Sequence, residues 1–523
     1  MNKNYRLNHP NEKEEGTTTI NKSLSTQNFN ICSSPSSGDF SRRMAVGYLF
    51  NPRLSHADDS VKPPLIKIKR RINDPYRTFC TLGYCLLFVA FILFLPSCNR
   101  KIAEKPLSHH GLLDKVQEQT FNYFWEGGEP ISGGARERIH MDDVYPNHPK
   151  DIITSGGTGF GIMATLVGIE RGFITREQGY ERLLKLTNWL ATSDRFHGAW
   201  PHWWMPDGKV TPFSKYDIGG DLVETAFLVQ GLLTARQYFK KGNAKEKELA
   251  QKMDELWRGV DWKWYTRGEN VLYWHWSPEY EWKMNFPVHG YNECLIMYVL
   301  AASSPTHGVD AAVYEEGFMM DGKVVSNDKH YRLPEVLYHY GNADRMVGPL
   351  FWAHYSYLGL NPQGLKDQYG DFWKLNQNHA LIQYRYCVDN PNECEGYSDS
   401  CWGLTSSYSI KGYAGHNPDN DLCVISPTAA LSSFPYTPEE SNRFLHFLYD
   451  DHPELIGEYG PYDAFSLEND WFTPRYLAID QLPIPVMIEN YRTGLLWDLF
   501  MSAPEIQQGL DKLGFEYLKA KSY

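Results

Sequence analysis

Basic charge is in short supply. Against 63 Asp and Glu stand 51 Lys and Arg, a net charge of −12, which argues against a nucleic-acid partner, since that would want a basic stripe. Cysteine is sparse too: nine in 523 residues, of which Cys32, Cys80, Cys85 and Cys98 fall in the first hundred. Cys387, Cys394 and Cys401 crowd VDNPNECEGYSDSCWG, with Cys423 beyond, at a spacing wrong for a CxxC zinc knuckle. A local disulfide and free thiols are both open there, and no metal or other cofactor is expected. Apolar runs are short as well: Leu82–Pro96 falls below the eighteen or so residues of a membrane span. Strand-like alternation is limited to pieces such as NVLYWHW. No repeat of fixed period supports a solenoid.

What the chain does have is a distinct leader. Residues 1–64 are rich in Asn, Ser, Thr and Lys without sustained apolar periodicity, and are expected to be disordered. KIKRR, a short oily core and Leu95-Pro96-Ser97-Cys98 then follow, the order of a bacterial secretory signal. LPSC resembles a lipobox, with Cys98 as the lipidated residue. A simple membrane anchor is the alternative. The region before the oily core is too long for an ordinary signal, so either translation starts downstream of Met1 or the first part is an extension. The expected organisation is a leader over 1–98 and one catalytic domain over 99–523, held by a lipid anchor at the cell envelope and facing the periplasm. NRKIAEK after Cys98 is basic, which disfavours export to the outer surface.

From about Leu107 onward, helical patterns alternate with aromatic and glycine-rich loops. The spacing predicts helices over 112–125, 159–171, 175–193, 222–239, 244–260, 292–302, 346–358, 365–384, 438–449, 484–501 and 505–519. Their starts are marked by signals such as Thr175 with Gln178, and Thr437 before Pro438 and Glu440. LIMYVLAA is apolar all round whereas KEKELAQKMDELWRGV is two-faced. Alternation of buried and amphipathic helices predicts an inner ring inside an outer ring, an all-α (α/α)6 toroid.

Acids and aromatics carry the chemistry. Asp217, Asp221 and Glu224 lie in KYDIGGDLVETAFLVQGLL, and Glu293 heads GYNECLIMYVLAASSP. A carboxylate at the mouth of an apolar helix is costly without a partner or a task. Aromatics make up 15% of the chain, with 16 Trp and 34 Tyr, in clusters such as PHWW and YWHW. Rings cover sugar faces and a carboxyl pair moves protons at a glycosidic bond, so the chain reads as a glycoside hydrolase.

DIGGDLVETAFLVQGLL, YNECLIMYVLAASSPTH, GPLFWAHYSYLGLNP, VISPTAALSSFPYTPEES, GEYGPYDAFS and AIDQLPIPVMIENYRTGLLW together resemble the glucoamylase-like family of bacterial (α/α)6 proteins, which includes the β-1,2-glucanases of glycoside hydrolase family 144. The resemblance covers roughly Leu107 to the C-terminus. It implies hydrolysis of β-1,2-glucan or its oligosaccharides with inversion at the anomeric carbon, rather than starch cleavage. Cys294, where a small residue such as Ala usually follows the acid, and Pro461, in a slot that is often aromatic, depart from the pattern.

Glu293 is the choice for general acid, with a dipole-matching glutamate of the first helical turn as the bland alternative. The resemblance favours the acid. Asp217, Asp221 and Glu224 read as ligands of sugar hydroxyls or as the base, although Asp221 with Glu224 is also a capping box. Gly219 and Gly220 make Asp217 a loop residue. Asp480 is the first choice for base and Asp463 the second; an N-terminal cap of the next helix competes for Asp480. Glu489 is expected to pair with Arg492. Asp142 and Asp143 read as structural or gating residues rather than a metal pair. Trp203, Trp204, Trp276, Trp352 and Trp402 are candidate sugar platforms or core, and His289, Asn292, His416 and Arg492 candidate ligands of hydroxyls. Two other classes are weighed: a non-catalytic glucan-binding lipoprotein, and a hydrolase of another glucan. A polysaccharide lyase would favour a positive cleft and ranks last. Oligomeric state has no signal in the sequence.

Overall fold

Helices dominate because apolar residues recur at helical spacing between explicit start and stop signals. The computed structural model describes residues 109–340 and 345–520; the leader, the oily core and Cys98 lie outside the described residues. The helices are α1 (His109–Trp125), α2 (Ser155–Arg171), α3 (Arg176–Leu190), α4 (Leu222–Phe239), α5 (Ala244–Arg258), α6 (Leu295–Ser303), α7 (Phe372–Asp389), α8 (Pro427–Leu431), α9 (Pro438–His446), α10 (Ala478–Gln481), α11 (Pro483–Arg492), α12 (Leu495–Met501) and α13 (Pro504–Lys512). Thr175 and Gln178 close a reciprocal capping box at α3, and Asn243 with Glu246 does the same at α5. Gly172, at φ 76°, ends α2.

The helices fall into two kinds. α2, α4, α6, α8 and most of α11 are buried, whereas α3, α5, α9 and α13 show one wet face. Buried helices pack on buried helices: α2 on α4, α4 on α6, α8 on α11 and α11 on α2. The closest pair, α2 and α4, touches through backbone. A Cβ on Gly159 would come 2.2 Å from the Phe227 carbonyl oxygen, and one on Gly231 equally close to that of Gly159. Packing this tight leaves no slack, and it fixes the start of α4 against the start of α2.

Strands are two or three residues long, too short to form a core of their own. They pair at the mouths of helices: Ile153–Thr154 with Trp203–Trp204, Gly220–Asp221 with His275–Trp276, and Arg138–His140 with Arg475–Leu477. Below them the described residues share one continuous hydrophobic core.

Four predicted helices differ. The one predicted over 365–384 is observed as Phe372–Asp389, capped by Asp371, and the one over 505–519 stops at Lys512, before Gly514 at φ 76°. The other two are broken. Residues 346–358 form two 3₁₀ turns, Leu350–Ala353 and Tyr355–Tyr357. Here the carbonyls of Trp352, Ala353 and Tyr355 are drawn out of the helical ladder by Tyr291, Tyr436 and Gln230. The predicted helix over 484–501 breaks at Gly494 (φ 77°), and Asn490 Oδ1 restarts it by accepting the N–H groups of Leu496 and Trp497. Cys394 and Cys423 form a disulfide, while Cys294, Cys387 and Cys401 are free and buried.

Candidate active site

The acids gather at helix N-termini because these short strands end there. Asp221 is the N-cap of α4: its Oδ1 accepts the Glu224 N–H at 2.9 Å. Its Oδ2 accepts Trp274 Nε1–H at 2.9 Å and lies 3.1 Å from His202 Nδ1. Glu224 does not complete the capping box. It crosses to α2, whose N-cap Thr154 contributes no side-chain bond, and accepts the Gly156 N–H at 2.7 Å. A Cβ at 156 would stand 2.4 Å from Glu224 Oε2, so a larger residue there would push the carboxyl off this N–H. Asp217 enters from the preceding loop, 3.2 Å from His275 Nε2 and 3.9 Å from His202.

Five ionisable groups are thus buried together. Burial opposes a charge on His202, but Glu224, Asp221 and Asp217 outweigh it and hold the ring pKa up at about 10. Against its own burial, Asp217 is held below the usual carboxylate range by His275 and His202. Burial pushes Glu224 up to about 8. His202, Asp217 and Asp221 bring ligand atoms within 4.8 Å of one another, a set that could hold a cation; the His202 imidazolium is itself the positive charge among them. The sequence reading missed His202 and His275, although both sit inside the PHWW and YWHW clusters it singled out for their tryptophans.

Glu293 stands just before α6, fully buried. The Tyr340 hydroxyl lies 3.2 and 3.1 Å from its two carboxyl oxygens, and the Ser356 hydroxyl donates to its backbone carbonyl. Burial raises its pKa to about 7, more than the Tyr340 bond lowers it, and Asp221 adds to the rise. The carboxyl opens on a cleft with an empty volume of about 640 Å³, lined also by Tyr340, Arg345, Phe351, Trp352, Ser406 and Asn417.

Asp463 and Asp480 form a third acidic unit. Asp480 lies inside α10 and accepts the Tyr355 hydroxyl at 3.3 Å; Asp463 accepts the Tyr408 N–H at 2.8 Å. Asp480 is not the cap of α11, whose N-cap is Leu482. Burial and then the adjacent Asp463 push Asp480 well up; burial brings Asp463 to about 6. Two buried carboxyls in contact hold one proton between them.

The family model Glycoamylase, described as "Putative glucoamylase", matches residues 285–504. A solved endo-beta-1,2-glucanase from Chitinophaga pinensis, in complex with sophorotriose and glucose, is 58% identical, covers 79% of this chain and 99% of that one, and superposes with a TM-score of 0.78. The chain belongs to the Glycoamylase family. A second member, the "putative glucoamylase" of Bacteroides fragilis, is 57% identical over 80% of this chain and 99% of that one, with a TM-score of 0.78. The exo beta-1,2-glucooligosaccharide sophorohydrolase of Parabacteroides distasonis is 44% identical over 433 residues, 78% of this chain; the chain spans 58% of that relative's length.

The remaining candidates of this Glycoamylase chain divide sharply. Trp352 lines the cleft, its ring packed over Gly348. Trp203 is buried beside the acids, edge-on to His202, Phe213 and His148. Trp204 is no platform: successive strand residues face opposite ways, and its ring goes into the core against Trp189. The same alternation turns Trp276 away from Asp217, toward His197 and Trp264, while His275 takes the inward place. Trp402 is core, its Nε1–H donated to the Glu440 carbonyl.

Among the polar candidates, Asn292 braces the loop before α6, accepting the Cys294 N–H at 2.8 Å and donating to the His289 carbonyl. His289 bonds the Gly317 carbonyl. His416 is buried beneath Gly415 and Asn417 of the cleft, and burial lowers its pKa to about 4. Arg492 is far from the acids. It sits in the last turn of α11, about 13 Å of helix beyond the N-terminus, paired with Asp114 at 2.6 Å. Glu489 pairs with Arg171 instead, through both carboxyl oxygens at 2.6 and 2.7 Å. Asp142 and Asp143 pair with Arg475 and Lys150 at the surface.

Proposed function

We propose that this protein is an inverting glycoside hydrolase of β-1,2-glucan or its oligosaccharides, built on an (α/α)6 toroid. One observation carries it: a fully buried Glu293, with a pKa brought to about 7 and its carboxyl at an aromatic cleft, in a chain 58% identical to an endo-beta-1,2-glucanase solved with sophorotriose. A general acid must hold its proton at working pH, and burial supplies that. Inversion requires a second carboxyl on the opposite face of the sugar to activate water; the Asp463–Asp480 pair fills that role, with Asp480 as base. The toroid reading is supported by the path of buried helices. They run from α2 through α4 and α6 to the 3₁₀ turns, on through the His354–Ser433 bond to α8, then to α11 and back to α2.

The expected products follow. On β-1,2-glucan the first-formed anomer is α, read by polarimetry or NMR within the first turnovers, with little release from β-1,3-glucan, β-1,4-glucan or starch. Strong starch hydrolysis without β-1,2 activity would overturn the substrate. Binding of β-1,2-glucan without turnover would make the chain a glucan-binding protein.

The address belongs to the same reading: a lipoprotein of the bacterial envelope, anchored at Cys98 and facing the periplasm. Cys98→Ser is expected to move the protein from the membrane pellet to the soluble fraction. A variant that still sediments as an integral protein would refute the anchor.

A further inference from the structure

Glu137 and Arg138 lead into the strand Arg138–His140, and neither belongs to the machinery described above. Their position is fixed by backbone. The Glu137 N–H bonds the Ile152 carbonyl just before α2, and its carbonyl accepts the N–H of Ala478, the first residue of α10. Glu137 therefore lies between the N-terminus of α2, where Gly156 holds Glu224, and the short helix that carries Asp480. Its charge is felt on both sides, raising the pKa of Glu224 and of Asp480.

Arg138 is fastened without being used up. Its Nη2 is 3.4 Å from Glu137 Oε1, its guanidinium lies 5.4 Å from the Trp203 ring centre, and the Tyr408 hydroxyl is a further side-chain partner. Its Nε has no hydrogen-bond partner though buried, and the same is true of Trp203 Nε1 and Glu224 Oε1. Buried donors and acceptors left open in this way are rare and costly. Here two donors and an acceptor lie around a carboxylate–guanidinium pair that is 12% and 15% exposed. Vicinal hydroxyls of a sugar ring, each both donor and acceptor, match that alternation.

We infer that Glu137 and Arg138 form a glucosyl-binding subsite beside the Asp463–Asp480 pair, with Arg138 Nε and Trp203 Nε1 donating to ring hydroxyls and Glu137 accepting from one. The subsite rests on the reading that the cleft holds a β-1,2-linked glucan. It places the sugar on the far side of the scissile bond from Trp352, which stands beside Glu293.

The test measures binding apart from turnover. Calorimetric titration of Glu293→Gln protein with a β-1,2-linked glucotriose gives the reference Kd. Adding Glu137→Gln or Arg138→Lys is expected to raise Kd about 10- to 100-fold, the scale of lost hydrogen bonds to charged groups, with melting temperature close to that of the parent. Glu137→Asp should restore part of the loss. Two double variants that fold normally and bind within twofold of the parent would overturn the subsite and leave the hydrolase reading standing. If Arg138→Lys melts early, Glu137→Gln alone decides. If Glu293→Gln protein ignores the β-1,2 triose, the substrate reading itself fails, and the subsite falls with it.

Discussion

Glu293→Gln is expected to lower kcat by about 10²–10⁴, the usual worth of general-acid assistance, with KM nearly unchanged because the amide keeps the shape and the Tyr340 contact. The pH profile carries a separate signature. The acid works only when protonated, so activity should fall as pH rises through about 7, where Glu293 titrates. The glutamine has no proton to lose, and its residual activity should lack that falling limb. Tyr340→Phe removes a hydrogen bond that favours the carboxylate, and should move the limb to higher pH.

Stability should move the opposite way. A carboxyl whose folded pKa lies above its unfolded value stabilises the fold while protonated, and that contribution is lost as pH climbs from the unfolded pKa toward about 7, roughly 1.4 kcal/mol for each unit of difference. Glu293→Gln removes the penalty, so the variant should melt no lower than wild type at pH 8 despite its lost activity. Loss of turnover with a lower melting temperature would mark a structural residue. More than about a tenth of wild-type turnover would show the acid misassigned, and Asp221 or Glu224 would be next.

What the sequence could reveal depended on whether the signal was local. Caps and apolar runs are local, so α3, α4, α5 and α9 were legible, as was Glu293 at the head of LIMYVLAA. Asp217 was legible as a loop residue because Gly219 and Gly220 follow it. Contacts across the fold were not. That Glu224 caps α2 depends on a glycine 68 residues away, and no spacing along the chain announces it. Trp203 and Trp204 are identical in type and adjacent, so only the strand's pairing decides which faces the acids. Arg492 looked like a partner for Glu489 by helical spacing, yet Arg171 reaches Glu489 from α2 with better geometry. The 3₁₀ turns at 350–357 were hidden for the same reason: the side chains that pull their carbonyls away come from Gln230, Tyr291 and Tyr436.

The two halves of the aspartate pair should respond differently. Asp463 has one oxygen committed to the Tyr408 N–H, the bond that holds the pair in place, whereas Asp480 has the longer contact from Tyr355 and its contact with Asp463. Asp480 is the more strongly raised of the two, so it takes a proton from water only once the proton shared with Asp463 has left the pair. Asp480→Asn is expected to lower kcat by about 10²–10⁴. A purely structural carboxyl would instead lose stability on this change and keep most turnover. In Asp463→Asn the like charge beside Asp480 is gone, so Asp480 should ionise at lower pH. A base works only when ionised, so activity rises with pH through its titration; that rising limb should therefore move to lower pH in Asp463→Asn, with much of the maximal rate retained. Full pH–kcat profiles of the two variants decide the matter. A hundredfold loss in Asp463→Asn with Asp480→Asn nearly intact would exchange the roles. Small losses in both would put the base outside the pair, and the cluster of Asp217, Asp221 and His202 would be the place to look.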